Sequence, residues 1–179
     1  SCMGYEIAGG MGVQLADPSR DVYVMVGDGS YLMMNSEIAT MVQEGIKVTI
    51  VLLDNHGFAS IGSLSDSVGS GGFGTEYRYR KAGSLGGDVL PIDYAANAAS
   101  LGAHVVRAHS RDELAAAIEE TRAVQNRPVC IVVETDRDQR VGTYESWWDV
   151  PVAEVSTSEE VRRARGEYEQ AQRRQRYYL

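Results

Sequence analysis

Cysteine, long apolar runs and basic charge are all scarce in this sequence of 179 residues. Cys2 and Cys130 are its only cysteines, and Cys130 stands in the apolar run VCIVV, which is typical of a core position. Two such cysteines do not support a disulfide framework. No run reaches the roughly 18 consecutive apolar residues of a membrane span, and no basic-then-apolar leader opens the chain. We therefore expect a cytoplasmic protein that does not associate with a membrane.

Acidic residues outnumber basic ones by 25 to 17, which gives a formal net charge of -8. A surface of this sign argues against nucleic acid or an anionic membrane as a partner. An anionic ligand would need a local positive feature, such as a metal ion. The hydrophobic fraction of 44% excludes a disordered chain, and the length suffices for one α/β domain with a sizeable core.

Four short apolar runs have the length and composition of strands. They are Val22–Val26, Val48–Leu53, Ala103–Arg107 and Val129–Glu134. The second and fourth are almost continuously apolar, which is typical of strands covered on both faces of a parallel sheet. Helical patterns lie between the runs and predict right-handed β-α-β crossovers. The expected fold class is α/β, with a doubly wound, mostly parallel sheet and helices on both faces.

Capping residues indicate where the helices begin and end. The expected helices are Tyr5–Ala16, one capped by Asn35 or Ser36 and ended by Gly45, Tyr94–Leu101 capped by Asp93, and one opened by the capping box Ser110–Glu113. A last helix follows the two overlapping capping boxes in Ser156–Glu160, and its apolar stripe is Val161, Ala164, Tyr168 and Ala171. We divide the chain into a domain over residues 1–150 and a C-terminal extension with a helix over residues 151–179.

Two features do not fit one regular domain. The span Ser60–Val89 is rich in glycine and serine, and we expect a long loop there, either a lid that orders over bound ligand or an ordinary surface loop. The opening Ser1–Gly4 runs into a helical pattern without any lead-in. From this we expect the chain to be part of a longer polypeptide.

The informative stretch is Val22–Phe58. One predicted strand ends at Val26 and is followed by the turn Gly27-Asp28-Gly29-Ser30, and the next strand ends at Leu53 and runs into Asp54-Asn55-His56-Gly57-Phe58. In a parallel sheet both strand ends emerge at one edge, where open α/β sheets bind ligands. The sequence therefore predicts that Asp28 and Asn55 lie close together.

These residue types suit magnesium, which prefers hard oxygen ligands together with phosphate oxygens and water. Asp28 offers a carboxylate, Asn55 an amide oxygen and Gly57 a backbone carbonyl. Gly27 and Gly29 permit positive φ and would let a bulky diphosphate approach the backbone. The free N–H groups from this turn to the helix start at Ser30 favour the negative charge of a diphosphate.

Each residue also has a simpler interpretation. Asp-Gly is a common turn, so Gly27-Asp28-Gly29 alone says little. His56 is either a hydrogen-bonding loop residue or a weak catalytic candidate. Glu37 fits a first-turn partner of the helix dipole. The pair of motifs, each at a strand end, is far more specific than either motif alone.

At these residues the sequence resembles the thiamine-diphosphate-dependent enzymes, whose cofactor motif opens Gly-Asp-Gly and closes Asn-Asn. The resemblance implies the thiamine-diphosphate-binding fold, with Asp28, Asn55 and the Gly57 carbonyl holding Mg²⁺ on the cofactor diphosphate. It also implies that Met3 and Gly4 approach the pyrimidine ring. Asp54 stands where the family motif has the first Asn of its closing pair. By this resemblance the metal ligand is the second Asn, which is Asn55 here.

Further segments resemble one subfamily, the hydrolases that open a polyhydroxylated cyclic dione in inositol catabolism. The segments are SCMGYEIAGG, VGDGSY, DNHGF, FGTEYRYR and YESWWDVPVAEVS. The implied reaction is hydrolysis of a C–C bond between two ring carbonyls to a 5-deoxyglucuronate-type open chain. By this resemblance His56 and the group Glu76, Arg78 and Arg80 are candidate substrate contacts.

In this family the glutamate that helps form the reactive ylide belongs to a separate pyrimidine-binding domain, of the same enzyme or another subunit. No segment here resembles that domain, so we expect the chain alone to be inactive and the enzyme to be a homo-oligomer. Two alternatives stay open: a carboligase or decarboxylase of the acetolactate-synthase type, and a binding module that keeps the cofactor fold without catalysis.

Overall fold

The computed structural model describes residues 2–139 and 149–176. Two compact units make up the chain: Ser1–Phe58 with Leu90–Asp136, and Ala59–Val89 with Arg137–Leu179. This grouping differs from our division at residue 150, which stays a prediction. Ser1 and residues 144–148 of the segment YESWWDVPVAEVS lie outside the described residues.

The first unit is built on a four-stranded parallel sheet. Its strands are β1 (Tyr23–Gly27), β2 (Thr49–Asp54), β3 (His104–Ala108) and β4 (Val129–Glu134), in the spatial order β1-β2-β4-β3. The predicted parallel α/β sheet is thus confirmed. β4 has the predicted bounds, whereas the other three strands begin and end one residue later than the apolar runs indicated. Each of these strands therefore ends on the residue that precedes a loop or helix with polar side chains.

The described part of the chain contains seven helices. They are α1 (Tyr5–Ala16), α2 (Asp28–Met33), α3 (Glu37–Glu44), α4 (Ala59–Ser67), α5 (Tyr94–Ser100), α6 (Arg111–Thr121) and α7 (Glu159–Gln172). α1 has its predicted bounds, and α5 ends one residue before Leu101. Gly45 ends α3 with a left-handed φ of 64°, as its position after the apolar stripe predicted.

The core lies on both faces of the sheet. On one face Val24, Ile50 and Cys130 pack with side chains of α1, α3 and α5. On the other face Val129 and Ile131 pack against α6. Alternate residues of β4 thus serve opposite faces, which is why its sequence is apolar throughout. Helices on both faces confirm the doubly wound arrangement.

Three predicted caps are found, two of them with altered details. Asp93 accepts a hydrogen bond from the N–H of Ala96 at 2.9 Å, as expected. Ser110 accepts from the N–H of Glu113, but the Glu113 carboxylate accepts from the N–H of His109 and not of Ser110, so the predicted box is only half formed. α7 is capped by Ser158, which lies inside the predicted stretch Ser156–Glu160.

Of the two residues predicted to cap α3, Ser36 is found at the cap position and Asn35 is not. Ser36 occupies the cap position with a helical backbone, and its side chain makes no capping hydrogen bond. The Asn35 amide instead donates to Asn97 at 3.0 Å. The Asn35 side chain, which the local sequence assigned to the start of α3, thus hydrogen-bonds a residue 62 positions away in the sequence.

The second unit contains α4 and α7, so the prediction of a continuous loop over Ser60–Val89 is wrong in its first part. α4 covers Ala59–Ser67, and Gly69, just after it, has no room for a side chain because a Cβ would lie 2.5 Å from the carbonyl oxygen of Glu160. The rest of the span forms turns with backbone hydrogen bonds and an antiparallel bridge between Arg78 and Val89. On α7, Val161 and Ala171 of the predicted stripe are buried.

Within the described residues, no helix combines the length and apolar character needed to cross a membrane.

α1 approaches the sheet closely at Gly10 but not at Gly12, so replacement by alanine should affect stability differently at these two positions. A Cβ on Gly10 would lie 2.3 Å from Cγ2 of Val24, whereas a Cβ on Gly12 meets nothing within 4 Å. Gly10→Ala should therefore lower the free energy of unfolding by about 1–3 kcal/mol through overpacking. Gly12→Ala should leave it unchanged or raise it by up to about 1 kcal/mol, because alanine favours a helix. Thermal unfolding of both variants measures the difference, and equal losses would contradict close approach as the reason for Gly10.

Candidate functional site

The carboxyl ends of β1 and β2 bring the two sequence motifs together. The strands pair in parallel with Gly27 opposite Leu53, so Asp28 follows β1 next to the point where Asn55 follows β2. The backbone N–H of Asn55 donates to Oδ1 of Asp28 at 3.4 Å. The structure thus places Asp28 and Asn55 side by side, although 27 residues separate them in sequence.

Asp28 is a fully buried carboxylate, with 0% of its surface exposed. Its Oδ2 accepts a hydrogen bond from the Tyr94 hydroxyl at 3.0 Å, and Tyr94 is itself only 2% exposed. Burial raises the pKa of Asp28 above its ordinary value, and the hydrogen bonds from Tyr94 and from the backbone of Asn55 oppose that shift. These two donors partly compensate a charge that is costly to remove from water.

The Asn55 amide faces Asp28 and the Gly57 carbonyl. With its nitrogen turned inward, it donates to Oδ1 of Asp28 at 3.2 Å and to the carbonyl oxygen of Gly57 at 3.1 Å. With its oxygen turned inward, an amide, a carboxylate and a carbonyl oxygen converge with no proton between them. A cation would stabilise such a convergence.

This donor set fits magnesium. The three oxygens are hard ligands of the kind that Mg²⁺ takes from proteins, and they leave other coordination positions for phosphate and water. Among residues 2–139 and 149–176 there is no group of three histidine, cysteine or acidic side chains that could hold a metal. A site with one carboxylate therefore depends on the amide, the backbone carbonyl and the bound anion for its remaining ligands.

Neither Gly27 nor Gly29 uses the positive φ that glycine permits. Gly27 is extended, with φ −76°, and Gly29 lies within α2, which begins directly at Asp28 without an intervening turn. Glycine is needed at Gly29 for space, because a Cβ would lie 2.6 Å from the ring of Phe58 and 3.0 Å from the carbonyl oxygen of Gly57. The left-handed residues lie in the other motif, where His56 has φ 61° and Gly57 has φ 147°.

The remaining predicted cofactor contacts lie close to α2. Ser30, in the first turn of α2, is buried. Gly4 has φ 90°, and a Cβ on it would lie 3.1 Å from Cβ of Met33, so the opening segment packs directly against the end of α2. Met3 is partly exposed beside it.

The structure assigns His56 two acidic neighbours. Its Nδ1 lies 3.2 Å from Oδ1 of Asp54, and its Nε2 lies 3.6 Å from Oε1 of Glu134. Burial raises the pKa of Asp54, while hydrogen bonding from the His56 N–H and the nearby imidazole lower it. His56 thus lies between the ends of β2 and β4.

The Glu76, Arg78 and Arg80 group belongs to the second unit. Glu76 pairs with Arg78 through Oε2 and with Arg137 through Oε1, the latter at 3.3 Å. Arg80 donates to the backbone carbonyl of Gly83 at 2.8 Å. Their role as substrate contacts stays a prediction, and the contacts seen here are all within this unit.

Sequence reasoning missed Tyr94, Tyr31 and Asn97 as supports of the site. Tyr31 donates to Asn97 at 2.7 Å, and its ring meets that of Tyr94 edge to face at 6.0 Å between centroids. The missed signal was the choice of tyrosine at two apolar positions, because a buried hydroxyl needs a partner. The sequence could not say which partner, since 66 residues separate Tyr94 from Asp28.

A parallel sheet with an oxygen cluster at its carboxyl edge is the arrangement of an α/β domain suited to a metal-bound diphosphate. The comparison with known families makes this specific. The family described as "Thiamine pyrophosphate enzyme, C-terminal TPP binding domain" matches residues 1–133, and the chain belongs to it. The predicted family and its thiamine diphosphate cofactor are confirmed.

Two curated relatives have similar sequences. The 3D-(3,5/4)-trihydroxycyclohexane-1,2-dione hydrolase 2 of a Bacillus cereus strain is 45% identical over 166 residues, which are 92% of this chain and 26% of that protein. The 3D-(3,5/4)-trihydroxycyclohexane-1,2-dione hydrolase of Bacillus thuringiensis (strain Al Hakam) is 43% identical over the same shares. The chain thus spans about a quarter of the length of these relatives.

A solved structure is similar in fold. It is the Rhodococcus jostii RHA1 thiamine diphosphate-dependent 4-hydroxybenzoylformate decarboxylase, with a TM-score of 0.63 and 25% sequence identity. The match covers 77% of this chain and 24% of that one. The α/β fold is therefore shared with an enzyme that uses the same cofactor.

Tyr94 and Tyr31 allow a matched test of the support beneath Asp28. Tyr94→Phe removes the hydroxyl that holds Oδ2 of Asp28, and loss of such an outer contact weakens metal binding by about 10–100-fold. Tyr31→Phe removes an equally buried hydroxyl that contacts Asn97 instead. We expect weaker Mg²⁺-dependent binding of thiamine diphosphate for Tyr94→Phe alone, measured by titration calorimetry on the intact protein. Equal weakening in both variants would show that the effect comes from the core and not from Asp28.

Substitutions at Gly29 and Gly27 distinguish two reasons for glycine in this motif. One reason is the lack of space for a side chain, and the other is the approach of the diphosphate. Gly29→Ala should push on the Gly57 carbonyl and Phe58, so it should destabilise the protein by about 1–3 kcal/mol and weaken Mg²⁺ binding. In Gly27→Ala the new Cβ would lie 3.8 Å from Nδ2 of Asn55, an ordinary contact, and φ is already compatible. Gly27→Ala should therefore keep its thermal stability, and a lower cofactor affinity with unchanged stability would support the approach of the diphosphate at this residue. A melting temperature that falls equally in both variants would contradict the steric account.

Proposed function

We propose that this chain binds Mg²⁺–thiamine diphosphate as part of a hydrolase that opens trihydroxycyclohexane-1,2-dione to 5-deoxyglucuronate in inositol degradation. The observation that supports it is 43–45% identity over 92% of the chain to relatives named for hydrolysis of this dione. The oxygen cluster of Asp28, Asn55 and Gly57 supports the metal part of the proposal.

Asp28, Asn55 and the Gly57 carbonyl would hold Mg²⁺ against the diphosphate. In this arrangement the cation, and not a helix dipole, supplies the attraction for the anion, because α2 has only six residues. Gly29 admits the Phe58 ring and the Gly57 carbonyl close to α2, and so keeps the carbonyl near Asp28. The chain's own contribution is to bind and orient the cofactor.

The proposed reaction is a redox-neutral hydrolysis. The bond between two adjacent ring carbonyl carbons breaks, one carbon receives the hydroxyl of water and becomes a carboxylate, and the other receives a hydrogen and becomes an aldehyde. Thiamine diphosphate supplies the carbon nucleophile when bound. No oxidant or reductant is needed, which agrees with a domain that carries a single organic cofactor.

An apolar surface at α1 and the end of α2 supports a protein partner. Tyr5 is 64% exposed, and Val13, Leu15, Met33 and Met34 are also exposed. Exposed apolar side chains on two neighbouring helices agree with an interface at this surface. We assign it to the pyrimidine-binding domain, of the same enzyme or another subunit, which would also bring the ylide-forming glutamate. A homo-oligomer would place the two domain types face to face.

A second candidate is decarboxylation or carboligation of a 2-oxo acid. The shared fold with a 4-hydroxybenzoylformate decarboxylase favours it. The two candidates differ in the substrate turned over, not in the binding of the cofactor. One assay with both substrates therefore separates them.

The test uses the intact protein with saturating Mg²⁺ and thiamine diphosphate. We expect hydrolysis of the cyclic dione and no turnover of pyruvate or an aroylformate. Asp28→Ala removes the only carboxylate of the oxygen cluster. It should weaken Mg²⁺-dependent cofactor binding by more than the roughly 10–100-fold that is typical of an outer contact. Asn55→Ala should also weaken this binding strongly. Asp21→Ala, at an exposed aspartate before β1, is the control and should bind normally.

Each part of the proposal has an outcome that would contradict it. Unchanged cofactor affinity in Asp28→Ala would refute the metal assignment. Turnover of the 2-oxo acid in place of the dione would select the second candidate. Cofactor binding without turnover of either substrate would indicate a binding module.

A further inference from the structure

The loop between Asn55 and Gly57 has an unusual backbone. His56 adopts φ 61° and Gly57 φ 147°, so two successive residues leave the region that side chains ordinarily favour. This double turn brings the Asn55 amide beside both Oδ1 of Asp28 and the carbonyl oxygen of Gly57. Glycine would adopt the conformation of His56 without strain. A histidine there needs contacts that hold it.

Asp54 supplies the first of these contacts. Its Oδ1 accepts the backbone N–H of His56 at 3.1 Å and lies 3.2 Å from Nδ1 of the same residue. Its own backbone carbonyl accepts from the N–H of Thr135 at 2.9 Å and from the Thr135 hydroxyl at 3.2 Å. Asp54 is thus fastened to the residue after β4 while it holds the turn.

Glu134 supplies the second contact. It is the last residue of β4 and pairs in register with Asp54, and its Oε1 lies 3.6 Å from Nε2 of His56. The Glu134 side chain is 66% exposed, so this contact is the weaker of the two. The imidazole therefore spans the ends of two neighbouring strands, one ring nitrogen toward each.

We propose that Asp54, His56 and Glu134 form a brace that positions the cation loop. The brace holds His56 left-handed and thereby keeps the Asn55 amide beside Asp28 and the Gly57 carbonyl. It gives a reason for Asp54 in place of the asparagine of the family motif: a carboxylate accepts the backbone N–H of His56 more strongly than a neutral amide oxygen does. The inference rests on the proposed cation site, and it makes these three residues positioning residues that do not touch the substrate.

The test measures Mg²⁺ affinity of the intact protein at fixed thiamine diphosphate, for Asp54→Asn, His56→Asn and the double variant. Asparagine tolerates the left-handed region, so His56→Asn removes the ring without forcing the backbone. Each single variant should bind Mg²⁺ about 10-fold more weakly, as for other outer contacts of metal ligands. The double variant should be no weaker than either single one, because the residues act as a unit. Glu134→Gln should have a smaller effect.

Kinetics separate positioning from chemistry. The Mg²⁺ and cofactor concentrations needed for half-maximal rate should rise, while kcat at saturation stays within about 2-fold, because restored occupancy restores the site. His104→Asn is the matched control: His104 is a half-buried histidine at the amino end of β3 that contacts Arg127, and its loss should leave Mg²⁺ affinity unchanged.

Three results would overturn the brace. They are wild-type Mg²⁺ affinity in both single variants, additive losses in the double variant, and a fall in kcat with unchanged Mg²⁺ affinity, which would move His56 to the substrate. Asp28→Ala in the same titration distinguishes failure of the brace from failure of the cation site. If Asp28→Ala weakens binding but the brace variants do not, only the brace fails; if Asp28→Ala has no effect, the cation site fails with it.

Discussion

The carboxylate of Asp28, buried without exposed surface, is the constraint around which the site is arranged. A buried charge is tolerated only if hydrogen bonds or an opposite charge compensate it. Tyr94 holds one oxygen, and the backbone of Asn55 and its amide meet the other. The edge-to-face contact between the rings of Tyr31 and Tyr94 in turn positions the Tyr94 hydroxyl. A core interaction on one side of the sheet thus supports the ligand geometry at its edge.

The parallel pairing of β1 and β2 makes this arrangement possible. Parallel strands present their carboxyl ends at one edge, so two motifs that are distant in sequence are adjacent in space without any long-range side-chain recognition. The edge also explains the brace, since β4 ends beside β2 and brings Glu134 and Thr135 to the same place. Strand register therefore decides both which oxygens converge and what holds the loop that carries them.

The sequence predicted the sheet, most of its helices and the meeting of Asp28 with Asn55, because hydrophobic period and strand ends are local signals. It did not predict the reasons for the glycines. The sequence indicated only that Gly27 and Gly29 permit positive φ, whereas Gly29 is required by the lack of space beside Phe58, which only the tertiary structure shows. α4 was missed because glycine and serine outweighed its few apolar residues, although Gly62 is buried in it. Tyr94 was missed because its partner is remote in sequence.

The amide of Asn55 has a consequence for the order of events in the cell. Turned one way it donates protons to Asp28 and Gly57, and turned the other way it presents an oxygen to a cation. A second carboxylate in its place would set two negative charges beside each other in a buried site, and the polypeptide would need its ion in order to fold. With an amide, the cation site that we propose would not need its ion in order to fold. A newly made chain could then complete its structure first and bind magnesium and cofactor afterwards.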